Sequence, residues 1–258
     1  MKKFKKALPL LLALLLLAGC AAPVQEAVET PTPAPTPTPE LDSDWRPEEP
    51  WLADLPTDLS ATHLENSVPL TQAEIDRVNA AFVTMVESET DNSMYAGEIN
   101  GFFNCYYASP EEISLKWFLR YNANGELLTN DDVEEYQAVI MSFDPEYLEE
   151  HPRPLDAITP THRYPKAAIS AQLQKYANIT VDDLLDTSGC YYQEKYDAYY
   201  NFTSDFGPGD FICVGGEKTD DTVLLWSAAI NGHRKELTLH KSGNQYFIYS
   251  FQNVNADA

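Results

Sequence analysis

Aromatic side chains are concentrated near the C-terminal end of the chain, where they could form a binding surface. The densest group is Tyr191, Tyr192, Tyr196, Tyr199, Tyr200, Phe202 and Phe206. In a strand, residues two apart share a face, so Tyr200 and Phe202 point one way and Tyr199 the other. One set must pack on the core. The other set, with Trp226 from a later strand, could hold sugar rings or peptide side chains. The alternative is that these rings build only the core and the wet face of a sheet.

Two acidic residues beside this aromatic group are candidates for a polar site. Asp205 and Asp210 flank Gly207-Pro208-Gly209. Because glycoside hydrolysis uses a pair of carboxylates, either could act as acid or base on a glycan. The alternative is that both are loop acids facing water. We treat Asp205 and Asp210 as candidate binding residues and predict no catalytic set.

Metal and cofactor motifs are weak in this sequence. Asn122-Ala123-Asn124-Gly125 with Asp131 partly resembles an EF-hand loop, but Arg120 stands where the first carboxylate ligand belongs and Asp replaces the final Glu. We therefore predict an Asn-Gly turn leading to a helix cap at Thr129. The five histidines lack HExxH or HxH spacing, and GxSxG, GxGxxG and P-loop motifs are missing from the sequence. These patterns predict no metal and no cofactor.

The four cysteines do not form a complete disulfide framework if the first one carries a lipid. Cys20 would then leave an odd number, namely Cys105, Cys190 and Cys213. Cys190 and Cys213 could pair in an oxidising compartment. The favoured interpretation is that all three remain small buried thiols.

The chain is strongly acidic, with 17 Lys and Arg against 40 Asp and Glu and a formal charge of −23. Loss of a leader containing four of the lysines would make the charge still more negative. Such a charge repels phosphate backbones and anionic lipid within a Debye length of about 8–10 Å. Nucleic acid is therefore excluded as a partner.

Capping and periodicity predict helices first. Thr71 with Glu74 forms a capping-box pattern, and Ser109-Pro110 is a second helix start whose helix should continue through Leu119. Further starts lie at Thr129 and near Pro165, and a short helical turn is expected at 180–186.

After residue 190 the apolar period changes from 3.6 to 2. We predict strands at Tyr196–Ser204, Phe211–Glu217, Thr222–Ala228, Lys235–Lys241 and Gln245–Phe251. Short turns between them imply an antiparallel meander. The expected fold class is α+β, with N-terminal helices packed on a C-terminal antiparallel β-meander. The element order resembles NTF2-like or cystatin-like cone folds, and that likeness implies nothing about function.

The N-terminus has the layout of an export signal. Four lysines precede an apolar stretch from Ala7 to Ala18 that is too short to span a bilayer, and the stretch ends at Leu17-Ala18-Gly19-Cys20. This ending resembles the lipobox of bacterial lipoprotein signal peptides. The resemblance implies cleavage before Cys20 and a lipid on its thiol. An ordinary secretory signal with a chance cysteine is the alternative.

A proline-rich spacer follows the leader. Residues 31–39 alternate Pro with Thr or Ala, which favours extended polyproline II of about 28 Å at ~3.1 Å per residue. We divide the chain into a signal peptide at 1–19, the lipidated Cys20 with its linker at 20–57, and one globular domain at 58–258.

Two segments, Ile99–Ile113 and Tyr196–Asp205, together with this layout, resemble uncharacterised lipoproteins of anaerobic Gram-positive bacteria. The resemblance implies a lipid-anchored protein on the extracytoplasmic face of the cell membrane. It implies no activity and no site residue.

The sequence therefore predicts a lipid-anchored domain that binds a ligand or partner at the cell envelope. The candidate partners are a cell-wall glycan, a peptide or a protein, in addition to the membrane itself. The candidate binding residues are Tyr199, Tyr200, Trp226, Asp205 and Asp210. The alternatives are a cell-wall or glycan-active hydrolase and a purely structural or immunity-type partner domain.

Overall fold

The computed structural model describes residues 59–87, 94–120, 122, 124–143, 160–202 and 209–256. Cys20, the linker, the boundary near residue 58 and Asp205 lie outside these residues. Within the described ranges, no helix is both long and apolar enough to cross a membrane.

Four α-helices and eleven strands make up the described part of the chain. The helices are α1 (Gln72–Ala81), α2 (Leu115–Phe118), α3 (Val133–Phe143) and α4 (Lys166–Ala177). The first seven strands are β1 (Val68–Pro69), β2 (Met85–Glu87), β3 (Met94–Ala96), β4 (Glu126–Leu127), β5 (Thr161–Pro165), β6 (Tyr191–Gln193) and β7 (Ala198–Phe202). The last four are β8 (Gly215–Lys218), β9 (Thr222–Trp226), β10 (His233–Ser242) and β11 (Gln245–Asn255).

The strands form antiparallel sheets. The largest sheet has the order β1-β8-β9-β10-β11, a second has the order β4-β5-β7-β6, and β2 pairs with β3. Helices with antiparallel sheets confirm the α+β class. The meander of β8 to β11 also confirms the four strands predicted after residue 210, within a few residues at each end.

Two details of the predicted layout are wrong. The predicted strand Tyr196–Ser204 does not join the meander, because β7 pairs with β5 and β6 in the second sheet. Strands β4 and β5 also interrupt the helical half. Periodicity shows that a strand exists but not its partner, and β7 pairs with β5 across at least 33 positions of chain.

Helix starts follow the capping residues closely. In α1 the backbone N–H and hydroxyl of Thr71 both donate to the carboxylate of Glu74, each at 2.8 Å. Thr129 starts a 3-10 turn leading into α3, and α4 begins directly after Pro165. The helix predicted from Ser109 is wrong in extent. It breaks between Pro110–Glu112 and α2, because Ile113 leaves helical geometry with its side chain fully buried.

The main core lies between the helices and one face of the large sheet. Helices α1, α2 and α4 contribute apolar residues to it, and Leu225, Leu237, Leu239 and Phe251 face them from the sheet. A second, smaller core lies between α3 and the second sheet. Strand β7 thus has a packed layer on each of its faces.

Candidate functional site

The prediction that Tyr199 and Tyr200 belong to an exposed binding surface is wrong, because both side chains are buried. Tyr200 has no exposed area and packs with Tyr136 and Val139 in the smaller core. Tyr199, pointing the other way, belongs to the main core and is 8% exposed. Alternation leaves one face of a strand free only when nothing covers it, and both faces of β7 are covered.

The hydroxyl of Tyr200 is held by a buried acid. It donates a hydrogen bond to Glu135, whose other carboxylate oxygen lies 2.7 Å from the guanidinium of Arg163. Burial and this carboxylate raise the pKa of Tyr200 far above its usual value. Tyr200 is therefore a neutral, structural hydrogen-bond donor.

Trp226 lies on a different sheet from the two tyrosines. It ends β9, is half-buried, and has the guanidinium of Arg234 at 4.7 Å from its ring centroid. The indole also lies against Gly215, where an added Cβ would be 2.4 Å from Nε1. The ring is thus largely covered by neighbours of its own sheet.

Asp210 is exposed and paired. Its carboxylate accepts a hydrogen bond from the ammonium of Lys235. Asp205 lies outside the described residues. The structure consequently does not bring Tyr199, Tyr200, Trp226 and Asp210 together as one surface.

A different group of residues forms a pocket of about 200 Å³ at the edge of the large sheet. Its lining comes from the first described residue, from the loop before α2 and from the end of β11: Leu59, Tyr106, Tyr107, Ala108, Glu112, Gln252 and Asn253. Apolar and polar groups converge there, as in small-molecule sites, although the volume is small for that class.

The aromatic part of this pocket is fixed by packing. The half-buried ring of Tyr106 stacks on Phe251, with centroids 5.1 Å apart and planes 28° apart. Tyr107 is buried and donates its hydroxyl hydrogen to the carbonyl of Phe102 at 3.2 Å. A ring held in this way is ready to contact a ligand without losing much conformational freedom.

On either side of the pocket, backbone hydrogen bonds join another segment of the chain to the outer edge of β11. Tyr107 and Phe251 exchange two hydrogen bonds, of 2.8 and 3.0 Å, between their backbone N–H and carbonyl groups. Further along, the N–H of Asn255 donates to the carbonyl of Leu59 at 2.7 Å. The pocket lies between these two closures.

One charged side chain, Glu112, is found among the residues that line the pocket. Its carboxylate accepts the N–H of Ala108 at 2.9 Å and is otherwise exposed. The usual acid–base mechanism of glycoside hydrolysis needs two carboxylates, and the described residues of this lining include one.

The other residues considered for metal binding or catalysis make structural contacts. Across the described ranges, no group of three or more His, Cys, Asp or Glu side chains could hold a metal ion. In the segment that resembles an EF-hand loop, the side-chain oxygen of Asn122 accepts the N–H of Asn124 at 2.9 Å, which confirms the predicted turn. Among the described histidines, burial lowers the pKa of His162 and of His240, and His240 stacks on Tyr249.

Cys105, Cys190 and Cys213 are free thiols; Cys105 and Cys213 are buried, as the favoured interpretation predicted, whereas Cys190 is half-buried. Burial raises the pKa of Cys105 and of Cys190 to about 12. The thiol of Cys213 is also buried and donates to the carbonyl of Gly215 at 3.2 Å. Because the thiolate is the nucleophile, Cys105 and Cys190 are inert at neutral pH.

Sequence reasoning missed the pocket residues. Tyr106 and Tyr107 were part of a segment noted only for its resemblance, and an aromatic pair next to a helix start is an ordinary core pattern. The useful signal is long-range, because the pocket exists only where Tyr107 pairs with β11.

No family model, curated protein or solved structure matches this chain.

Proposed function

We propose that this protein is a lipid-anchored, extracytoplasmic domain that binds a ligand or partner at the cell envelope through the pocket beside Tyr106. The lipobox-like ending at Cys20 and the proline-rich spacer support the location. The pocket supports the activity, since a fixed aromatic ring and several polar groups converge in one open recess.

The stacked ring of Tyr106 is the observation that carries this proposal. A half-buried tyrosine held against Phe251 presents a ring to the pocket at low entropic cost. Aromatic rings of this kind bind sugar faces and peptide side chains by apolar contact, and a nearby hydroxyl adds a polar group. The proposed binding surface therefore lies at the edge of β11 and does not include Tyr199 or Tyr200.

The decisive experiment titrates the mature chain with cell-wall fragments, glycans and short peptides. Tyr106→Ala should weaken binding of whichever probe binds, by about tenfold, because it removes a ring contact of about 1–2 kcal/mol. The matched control is Tyr95→Ala on β3, since Tyr95 is 51% exposed and is not among the residues that line the pocket. Equal binding by the wild type and a folded Tyr106→Ala variant would refute the pocket.

A hydrolase remains the alternative proposal, with Asp205 or Asp210 as acid or base. Asp210 is paired with Lys235, which favours a structural role for that carboxylate. Incubation of cell-wall glycan with the protein should release no reducing ends, and release that disappears in Asp210→Asn would favour the hydrolase.

We also propose that the large sheet and the helices packed on it form an NTF2-like or cystatin-like cone. Helices packed on one face of a five-stranded antiparallel sheet are compatible with an NTF2-like or cystatin-like cone. The second sheet around β7 would then be an addition to that cone. The resemblance to lipoproteins of anaerobic Gram-positive bacteria supports the same location and layout.

A further inference from the structure

Residues 59–67 form a strap across the large sheet, on the face opposite the helices. Successive side chains of a strand point to opposite faces of its sheet. Leu237 in β10 belongs to the main core, so its neighbour Glu236 points to the other face. There the carboxylate of Glu236 accepts the backbone N–H of Thr62 at 3.1 Å. The strap therefore lies over β10 at this point.

Glu217 in β8 holds the next part of the strap. A Cβ on Gly216 would be 3.1 Å from the side chain of Leu225 in the main core, so Gly216 faces the core and Glu217 faces away from it. The carboxylate of Glu217 accepts the N–H of Leu64 at 2.6 Å and the hydroxyl of Ser67 at 2.9 Å. Two carboxylates of the sheet thus bind the middle of the strap.

Backbone pairing holds the chain at both ends of the strap. At the edge of β11 the N–H of Asn255 donates to the carbonyl of Leu59 at 2.7 Å. At the opposite edge of the sheet, β1 follows the strap directly and pairs with β8. The strap therefore crosses from β11 to β8, which is three strand spacings, or about 14 Å at ~4.8 Å each.

The strap is separate from both hydrophobic cores. Among the described residues, neither core includes a member of the strap. Leu70, which follows β1, is the first described residue that packs on the main core. Lifting the strap off the sheet therefore leaves both cores in place.

A pull on the chain before Leu59 loads the contacts of the strap one after another. The bond to Asn255 lies nearest to the pull, followed by the bond to Glu236 and then by those to Glu217. Segments with few core contacts and a few separate hydrogen bonds open at a lower free energy than the paired strands of a core. We therefore expect the strap to open before the β10–β11 ladder, which is paired from end to end.

We propose that residues 59–67 are a releasable part of the tether, which peels from the large sheet under a pull from the anchor while the body stays folded. Nine extended residues reach about 30 Å at ~3.4 Å each, against a crossing of about 14 Å, so release lengthens the tether by roughly 15 Å. From the proposed function this inference takes only the anchor at Cys20, and it does not depend on the pocket.

Hydrogen exchange of the 15N-labelled mature chain with Cys20→Ala tests whether the strap opens while the body is folded. The amides of Thr62 and Leu64 should exchange faster than the amides of the β10–β11 ladder, because strap opening precedes global unfolding. Exchange of these two amides only together with the ladder would overturn the proposal.

Glu217→Ala tests whether the strap opens as one unit. The change removes the acceptor of Leu64 and Ser67, whereas Thr62 keeps its own acceptor. Exchange of Thr62 should nevertheless accelerate about tenfold, since lost hydrogen bonds to a charged group favour a shared opening. Acceleration at Leu64 alone would contradict a single unit. Glu65→Ala is the matched control, because Glu65 is exposed on the same strap, and it should leave both amides unchanged.

Pulling on single molecules measures the lengthening itself. The mature chain is held by its N-terminus and by a handle on Asn244→Cys, in the exposed turn between β10 and β11. A step of at least roughly 15 Å should precede unfolding of the body, and Glu217→Ala should lower its force. Unfolding without an earlier step would overturn the proposal, and this measurement decides alone if Glu217→Ala does not fold. A titration in which no probe binds beside Tyr106 would refute the pocket and leave the strap unaffected.

Discussion

At the scale of single residues, burial decides the roles of the tyrosines. The protein has 15 tyrosines, and sequence alone ranks Tyr199 and Tyr200 with the exposed ones because they lie in a dense aromatic run. Tyr200 instead fills the smaller core and satisfies Glu135, whereas Tyr106 reaches the pocket.

This difference predicts the stability of Tyr200 variants. Tyr200→Ala should lower the free energy of unfolding by about 3–5 kcal/mol, as for other large-to-small changes of a fully buried ring. Tyr200→Phe keeps the ring and should cost about 1 kcal/mol, because Glu135 retains Arg163. Urea unfolding measures both values.

Tyr95→Ala is the comparison for these variants, since Tyr95 lies half in solvent on β3 and should change stability by no more than about 0.5 kcal/mol. A loss below about 1 kcal/mol for Tyr200→Ala would contradict the buried placement of the ring.

At the scale of elements, an ion pair joins α1 to the large sheet. Glu74 at the start of α1 is buried and accepts from the ammonium of Lys218 at the end of β8. Burial by itself would raise the pKa of Glu74, but hydrogen bonds from Lys218 and Thr71 and the charge of Lys218 lower it to about 2, from an ordinary 4.5.

This lowered pKa predicts a pH dependence of stability. Because the folded pKa lies below the unfolded one, the stabilisation is complete above pH 4.5 and is lost as the pH falls toward 2. Between pH 6 and pH 3 the wild type should lose about 2 kcal/mol more than Glu74→Gln, in which this titration is removed.

The measurement is urea unfolding at both pH values, with Asp76→Asn as the matched control. Asp76 lies on the exposed side of the same helix, so its replacement should leave the pH dependence close to that of the wild type. Parallel pH curves for the wild type and Glu74→Gln would mean that the ion pair with Lys218 does not exist in solution.

At the scale of the whole molecule, a count of free thiols tests the proposed lipid on Cys20 and the redox state of the other three cysteines. With lipid on Cys20 and free thiols at Cys105, Cys190 and Cys213, the denatured mature protein should show three titratable thiols. Four would mean that Cys20 carries no lipid. One titratable thiol would mean that two of the other three cysteines form a disulfide. Two titratable thiols would mean that Cys20 carries no lipid and that a disulfide is also present.

Replacement of Cys20 provides the second measurement of the anchor. Cys20→Ala should move the protein from the membrane fraction to the soluble fraction and remove the acyl mass. A Cys20→Ala protein that stays in the membrane fraction would show that something other than this cysteine holds it there.

The local features of this protein follow from its amino-acid sequence alone. Thr71, Thr129 and Pro165 mark helix starts because caps act over three or four residues, and the strands β8 to β11 follow from alternation and turn residues. The acidic charge and the lipobox-like leader are likewise readable from residue types alone. All of these depend on neighbours in sequence.

The pairing of the strands and the burial of the aromatic rings depend on contacts between distant parts of the chain. Strand β7 has both of its faces covered because α3 packs on the face of Tyr200 and the main core lies on the face of Tyr199, and neither contact follows from its own sequence. The pocket depends on the same kind of information. Tyr107 meets Phe251 across 144 positions of chain, so no local pattern in the sequence reveals that contact.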